Sequence, residues 1–380
     1  MSDRITNLDQ PKLNKDYEIS SLGYHQSEAL LYSNFIKYKK LYELCMETIA
    51  KNKTLYEVNV FIDLQQFLLP LYSFADIENP MGLLATMSNM PLHYRAFFNS
   101  YKVKSNIFVI FSYNKSYINY RYIGDYNSKN LIKVENNDNV RSIIDRNISL
   151  MKTLFPYLPG IYLKTGTVEP SVIAYDIIDK FTRKGNNTPN VFISNSDYSF
   201  QLPAVLNNTY LFYKKKVRNE ESNKQDDVSF SVSNKDALVK YISHSKNQIV
   251  DIGNINSNWV STFMLLNGLP CRGIKSLVDY NKSINTMKYI KDNYNVVTPE
   301  NIYNALITID AKNKIAKKYN LLDIEARLHA IDIDYQLKLY RELPESLETS
   351  FLNDLYDMDA LYKIATTYFN QQNPLNIEKL

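Results

Sequence analysis

The sequence predicts an α/β fold: a central, mostly parallel sheet flanked by helices, followed by a mainly helical C-terminal region. Three observations lead there. The runs Val58 to Leu64, Asn106 to Tyr113 and Asn190 to Ser194 are short and largely apolar, as strands buried on both faces are. Helical spacing fills Val140 to Phe155 and Ser171 to Phe181, so strands alternate with helices as parallel connections require. Beyond about residue 245 the spacing turns helical to the end.

With 380 residues, 45% hydrophobic and 22% charged, the chain can bury a sizeable core and has the balance of a soluble globular protein. Its 31 Tyr, set against 9 Gly and 1 Trp, follow the bias of AT-rich codons and point to an AT-rich genome, viral or phage. A net charge of +4 is too small to imply nucleic-acid binding from the average, so any phosphate-binding surface must come from charge placement. Cys45 and Cys271 are far apart, which supports neither a disulfide framework nor a zinc cluster and fits a reducing compartment. No apolar run reaches the ~18 residues of a membrane span. The start MSDRITNLDQPKLNKDYE lacks an apolar signal core, so a cytoplasmic location is expected, the host cytoplasm if the protein is viral.

Taken in order, residues 1–24 are polar and aperiodic and read as an N-terminal arm. Ser27 to Lys51 carries apolar residues at three- and four-residue steps, from Leu30 and Leu31 to Leu44 and Cys45, and reads as an amphipathic helix. It opens an α/β unit over 25–245. Within that unit the polar, charged stretch Arg218 to Ser233 is expected to be a surface loop. Residues 246–380 are expected to form a helical domain, with a compact break at NGLPCRG and helices at Leu321 to Leu343 and Leu352 to Phe369. No internal repeat is evident.

Three carboxylates fall where chemistry could use them. Asp63 ends the first strand, Glu169 precedes Pro170 at a helix start, and Asp197 follows the third strand. Two also have a plain structural reading: Asp63 as a strand-end residue capping the following turn, Glu169 as an acid favoured by a helix N-terminus. The four histidines are scattered, and no phosphate-loop or dinucleotide fingerprint appears, so no small-molecule cofactor is expected.

The order of these pieces, over about residues 56–370, resembles the flap endonuclease and phage-type 5′→3′ exonuclease superfamily, grouped with PIN-like nucleases. The resemblance implies a divalent-metal site built from strand-end acids, with Mg2+ or Mn2+ as cofactor. In FIDLQQF it places the first acid at Asp63, while in FVIFSYNKSYINYRYIGDYN Ser112 stands where the family has aspartate. TVEPSVIAYDIIDKF resembles the family's Glu-Ala-Asp-Asp helix start, keeping Glu169 but setting Ser171 and Val172 at the two aspartate positions. In VFISNSDYSFQL the Asp-X-Asp positions fall on Ser196 and Tyr198, with Asp197 between them. IEARLHAIDIDYQLKLYRELPESL and LYKIATTYF resemble the family's closing helices.

Two divalent cations held ~4 Å apart need several carboxylates to supply oxygens and offset charge. Serine adds no negative charge, and valine or tyrosine offers less. Asp63, Glu169 and Asp197 together leave room for at most one weak Mg2+ site, so catalysis is expected to be impaired or lost.

Contacts with DNA or RNA are expected from two segments. Ser112 to Val134 interleaves Lys115, Arg121, Lys129 and Lys133 with tyrosines including Tyr122, giving cations for backbone and rings for bases. A tyrosine-rich packed hairpin is the competing reading. Leu265 to Ser283 resembles a reduced helix-hairpin-helix, with Gly268 and Gly273 allowing close approach of backbone to phosphate and Arg272, Lys275 and Ser276 adding contacts. N–H groups at the start of the following helix would favour an anion. A plain packing corner is the rival. Lys214, Lys215, Lys216 and Arg218 form a further basic cluster, read as a solvated edge.

Three functions compete: a nucleic-acid-binding protein on a nuclease-type scaffold, serving replication, repair or transcription of a phage or viral genome; an active metal-dependent 5′ nuclease; and a structural or complex subunit that contacts protein. Fold alone does not choose among them.

Overall fold

The computed structural model describes residues 57–64, most of 91–98, 103–112, 160–165, 168–218, 225–246, 252, 255, 259–269, 274–311 and 319–342. The expected arm at 1–24 and the expected helices Ser27 to Lys51, Val140 to Phe155 and Leu352 to Phe369 lie outside them.

Six strands form one sheet: β1 (Glu57–Asp63), β2 (Lys104–Ser112), β3 (Ile161–Thr165), β4 (Asn190–Ile193), β5 (Thr209–Arg218) and β6 (Gln225–Val232). Their order is β3-β2-β1-β4-β5-β6. All neighbours are parallel except β5 and β6. The three expected strands are β1, β2 and β4, and they occupy the middle of the sheet.

Those three carry the same four-residue pattern, and the sheet aligns it. Asn59-Val60-Phe61-Ile62 pairs in register with Asn106-Ile107-Phe108-Val109 on one side and Asn190-Val191-Phe192-Ile193 on the other. Asn106 Nδ2 donates to Asn59 Oδ1 and Asn59 Nδ2 donates to Asn190 Oδ1, each at 3.0 Å, with all three side chains buried. Asn106 Nδ2 also reaches Glu57 Oε1 at 2.8 Å. Two residues along, the rings of Phe61 and Phe108 stack 4.7 Å apart and nearly parallel at 9°. A one-residue slip would set amides against aliphatic side chains, so the pattern fixes the register.

The charged stretch expected to be a loop contains β6 instead. β5 outruns β4: pairing with β4 ends at Phe212, while pairing with β6 continues to Arg218. A two-stranded ribbon of this kind needs no continuous apolar face, and Val228, Phe230 and Val232 still alternate with serine as a strand requires. β3 (IYLKT) and β5 (TYLFYKKKVR) were also not among the expected strands, being short or lysine-rich.

Helix α1 (Pro170–Arg183) covers the expected Ser171 to Phe181 and lies against β2 and β1. Pro170 opens it without wasting an N–H, and Lys180 and Arg183 close it where cations are favoured. A 3-10 turn (Asp197–Phe200) leads into α2 (Gln201–Val205), and α3 (Ala237–Lys246) follows the ribbon. The remaining helices are α4 (Val260–Asn267), α5 (Tyr280–Asn293), α6 (Pro299–Asp310), α7 (Leu321–Ile331) and α8 (Ile333–Arg341). One hydrophobic core runs from Phe61 and Phe192 through Phe263 and Met264 to Leu328 and Leu337.

The single helix expected over Leu321 to Leu343 is split at Asp332, whose side chain caps α8 by accepting from the N–H groups of Asp334 and Tyr335. Gln201 supplies the groups the break leaves unpaired: its Nε2 donates to Ile331 O and its Oε1 accepts from Ile333 N–H, both at 2.9 Å. Arg341, ending α8, reaches back to α1 with Nε 2.8 Å from Asp176 Oδ1 and Nη2 2.9 Å from Asp179 Oδ2.

Candidate functional site

The strand order reverses at β1: the chain steps to β2 and β3 on one side and returns to β4 and β5 on the other. Open parallel sheets bind ligands beyond the carboxyl ends of the strands at such a reversal. Here that place is the crevice at the ends of β1 and β4.

Asp63 is the last residue of β1, and Ile62 pairs with Ile193, so Asp63 lies beside Ser194, the residue after β4. Ser194 Oγ donates to Asp63 Oδ2 at 2.8 Å and accepts the Ser196 N–H at 3.0 Å. The carboxylate is 2% exposed and the serine 0%. Asp197, half-buried, opens the 3-10 turn and accepts a 2.9 Å hydrogen bond on Oδ1 from the Tyr213 hydroxyl. Tyr213 lies on β5 one residue past the last pair with β4. Its ring packs on Phe200, with centroids 4.9 Å apart, so the same turn holds both ends of the contact.

Glu169 lies beyond the end of β3, two strands from β1, as the N-cap residue of α1. It is buried and makes no side-chain capping bond; its carbonyl accepts from Val172 N–H at 2.9 Å. Ser171 and Val172 are buried in the first turn, which holds no acid. Ser112 ends β2, paired with Thr165.

The structure thus brings Asp63 and Ser194 together and ties Asp197 to β5. Among the described residues, no group of three or more His, Cys, Asp or Glu side chains converges to hold a metal ion. Ser194 and Tyr213 are the functional candidates that sequence reading missed. For Tyr213 no local signal exists, because its contact depends on β5 pairing with β4.

The hairpin has a structural reason for its glycine. Gly268 sits at φ +80° and ψ 165°, a region essentially closed to other residues. A Cβ there would lie 2.5 Å from Ser276 N and 2.9 Å from Ile274 O. Leu269 and Ile274 exchange both backbone hydrogen bonds, at 2.9 and 3.1 Å. Lys275 and Ser276 are exposed, and Lys275 O accepts from Arg327 on α7 at 2.6 Å. The anion expected at the start of the next helix meets a carboxylate instead: Asp279 caps α5, accepting from Lys282 N–H at 2.9 Å. That position repels phosphate. Arg272 and Gly273, and Lys115, Arg121, Tyr122 and Lys129, lie outside the described residues.

No protein-family model and no curated protein matches the chain. Among solved structures it is similar to a bacteriophage T5 flap endonuclease, a pseudo-enzyme–product complex with DNA and metal ions, at 12% identity and TM-score 0.49, covering 83% of this chain and 100% of that one. It is similar also to the T5 5′-exonuclease with bound zinc, at 12% identity and TM-score 0.48, covering 82% of this chain and 99% of that one. No helix among the described residues is long and apolar enough to cross a membrane.

Proposed function

We propose that the chain binds nucleic acid on a nuclease-type α/β scaffold and does not hydrolyse phosphodiesters efficiently, in replication, repair or transcription of a viral or phage genome. What supports the reading is the reversal of strand order at β1, where open parallel sheets bind ligands, together with the basic run that continues β5 past its pairing with β4. In the sequence, the residues that follow Ser112 interleave Lys115, Arg121 and Lys129 with tyrosines. Lys214, Lys215, Lys216 and Arg218 lie on the part of β5 that outruns β4, at the carboxyl end of the strand. Asp227 and Asp226 pair in backbone register with Lys216 and Val217. A strand with a basic end, beside a crevice where the described residues bring no three acids together, suits an anionic backbone that is held rather than cut.

The test is an electrophoretic mobility shift with labelled flap, nicked and single-stranded DNA and the matching RNAs across a salt series, with product gels in Mg2+ and Mn2+. Binding that falls steeply with salt, without cleavage, is the expected outcome. Metal-dependent cleavage abolished by Asp63→Ala would show a working 5′ nuclease instead. Absence of binding at low salt would favour a role in protein assembly.

A further inference from the structure

We infer that the crevice between β1 and β4 is a hydroxyl-locked carboxylate site, in which Ser194 and Tyr213 do for Asp63 and Asp197 what divalent cations do in metal-dependent phosphodiesterases. This deepens the proposed function and rests on its reading of the crevice as the functional site.

A carboxylate 2% exposed carries a large desolvation cost unless something offsets its charge. For Asp63 the structure supplies an ordered donor. Ser194 Oγ already accepts the Ser196 N–H, so its own proton is directed to Asp63 Oδ2. The second lock is built from a different strand: the Tyr213 ring, seated on Phe200, presents its hydroxyl to Asp197 three residues earlier in the same turn. Beyond the end of β3, two strands from β1, the first turn of α1 holds Ser171 and Val172 and no acid, next to the N-cap carboxylate Glu169. Hydroxyl donors and missing acids are two halves of one arrangement. With fewer anionic oxygens, neutral donors suffice where cations would otherwise be required. Binding at this crevice is therefore independent of divalent metal.

The experiment is thermal unfolding of the full chain without nucleic acid, in EDTA and in a few millimolar Mn2+. The wild type is expected to melt at the same temperature in both. Ser194→Ala removes the donor to Asp63 and is expected to lower Tm by about 2–5 °C in EDTA. Mn2+ is expected to restore at least half of that loss. Ser194→Thr, which keeps the hydroxyl, should show no response to Mn2+ whatever its added methyl costs in packing, and Ser194→Ala combined with Asp63→Asn should lose the response to Mn2+. Tyr213→Phe repeats the comparison at Asp197 should Ser194→Ala fail to fold. A wild-type Tm raised several degrees by Mn2+ overturns the inference, because the carboxylates would then be metal ligands already. A Tm loss in the variants that Mn2+ does not reverse overturns it also. Nucleic acid is absent from this assay, so it can fail while the mobility shift succeeds, and the reverse.

Discussion

Replacing Asn59 with alanine removes the centre of the amide ladder across β2, β1 and β4. Two hydrogen bonds of 3.0 Å are lost, and the Asn106 and Asn190 amides, 5% and 4% exposed, are left with a partner missing. Two buried hydrogen bonds at about 1 kcal/mol each, plus about 1–3 kcal/mol for polar groups stranded out of water, give a loss of about 3–5 kcal/mol. Replacing Asn59, Asn106 and Asn190 together with leucine, close in shape to asparagine, strands no amide within the ladder. Glu57 keeps its ion pair with Lys104 at 3.1 Å. The triple variant is therefore expected to recover at least half of the single variant's loss. Urea unfolding followed by far-ultraviolet circular dichroism and by the fluorescence of Trp259, the only tryptophan and 6% exposed, measures both. A single variant costing less than about 1 kcal/mol, or a triple variant less stable than the single one, would refute the reasoning that the buried amides depend on one another.

Two further outcomes are expected. Gly268→Ala should cost about 2–4 kcal/mol, from a backbone region closed to alanine and a Cβ driven into the Ser276 and Ile274 backbone; urea unfolding reads it, and a change below about 0.5 kcal/mol would show that the hairpin relaxes freely. Burial pushes the Asp332 carboxyl above its ordinary value of 3.8, against hydrogen bonds from Ser261 and the Asp334 and Tyr335 N–H groups that pull it down. The folded state thus binds this proton more tightly than the unfolded chain, so the contribution is fully present below pH 3.8 and is lost as pH rises through the raised value. Asn caps a helix as well as Asp does, so Asp332→Asn should gain stability relative to the wild type across that rise, and a constant difference from pH 3 to 7 in parallel urea titrations would contradict it.

The middle of the sheet was legible because β1, β2 and β4 are buried on both faces and their apolar runs are continuous. β3 and β5 were not, because five residues ending in Lys-Thr and a strand of consecutive lysines lack that contrast. β6 was hidden by charge counting, although Val228, Phe230 and Val232 alternate. The break at Asp332 was invisible locally, since helical spacing continues across it and the group that compensates, Gln201, is 130 residues away. The same distance effect governs the crevice. Asp63 and Asp197 could be named from strand ends, but their hydroxyl partners could not, because Ser194 and Tyr213 reach them only after β4 settles between β1 and β5. At the start of α5, where an anion is expected from the sequence, the cap is the carboxylate of Asp279.

Gln201 follows directly on the turn that carries Asp197, and both ends of its amide are committed to the junction between α7 and α8. The floor of the crevice and the last described helices are thereby riveted at a single side chain. Pulling them apart would strip the Ile331 carbonyl and the Ile333 N–H of their partner and leave the Gln201 amide stranded, at about 1–3 kcal/mol for each buried group.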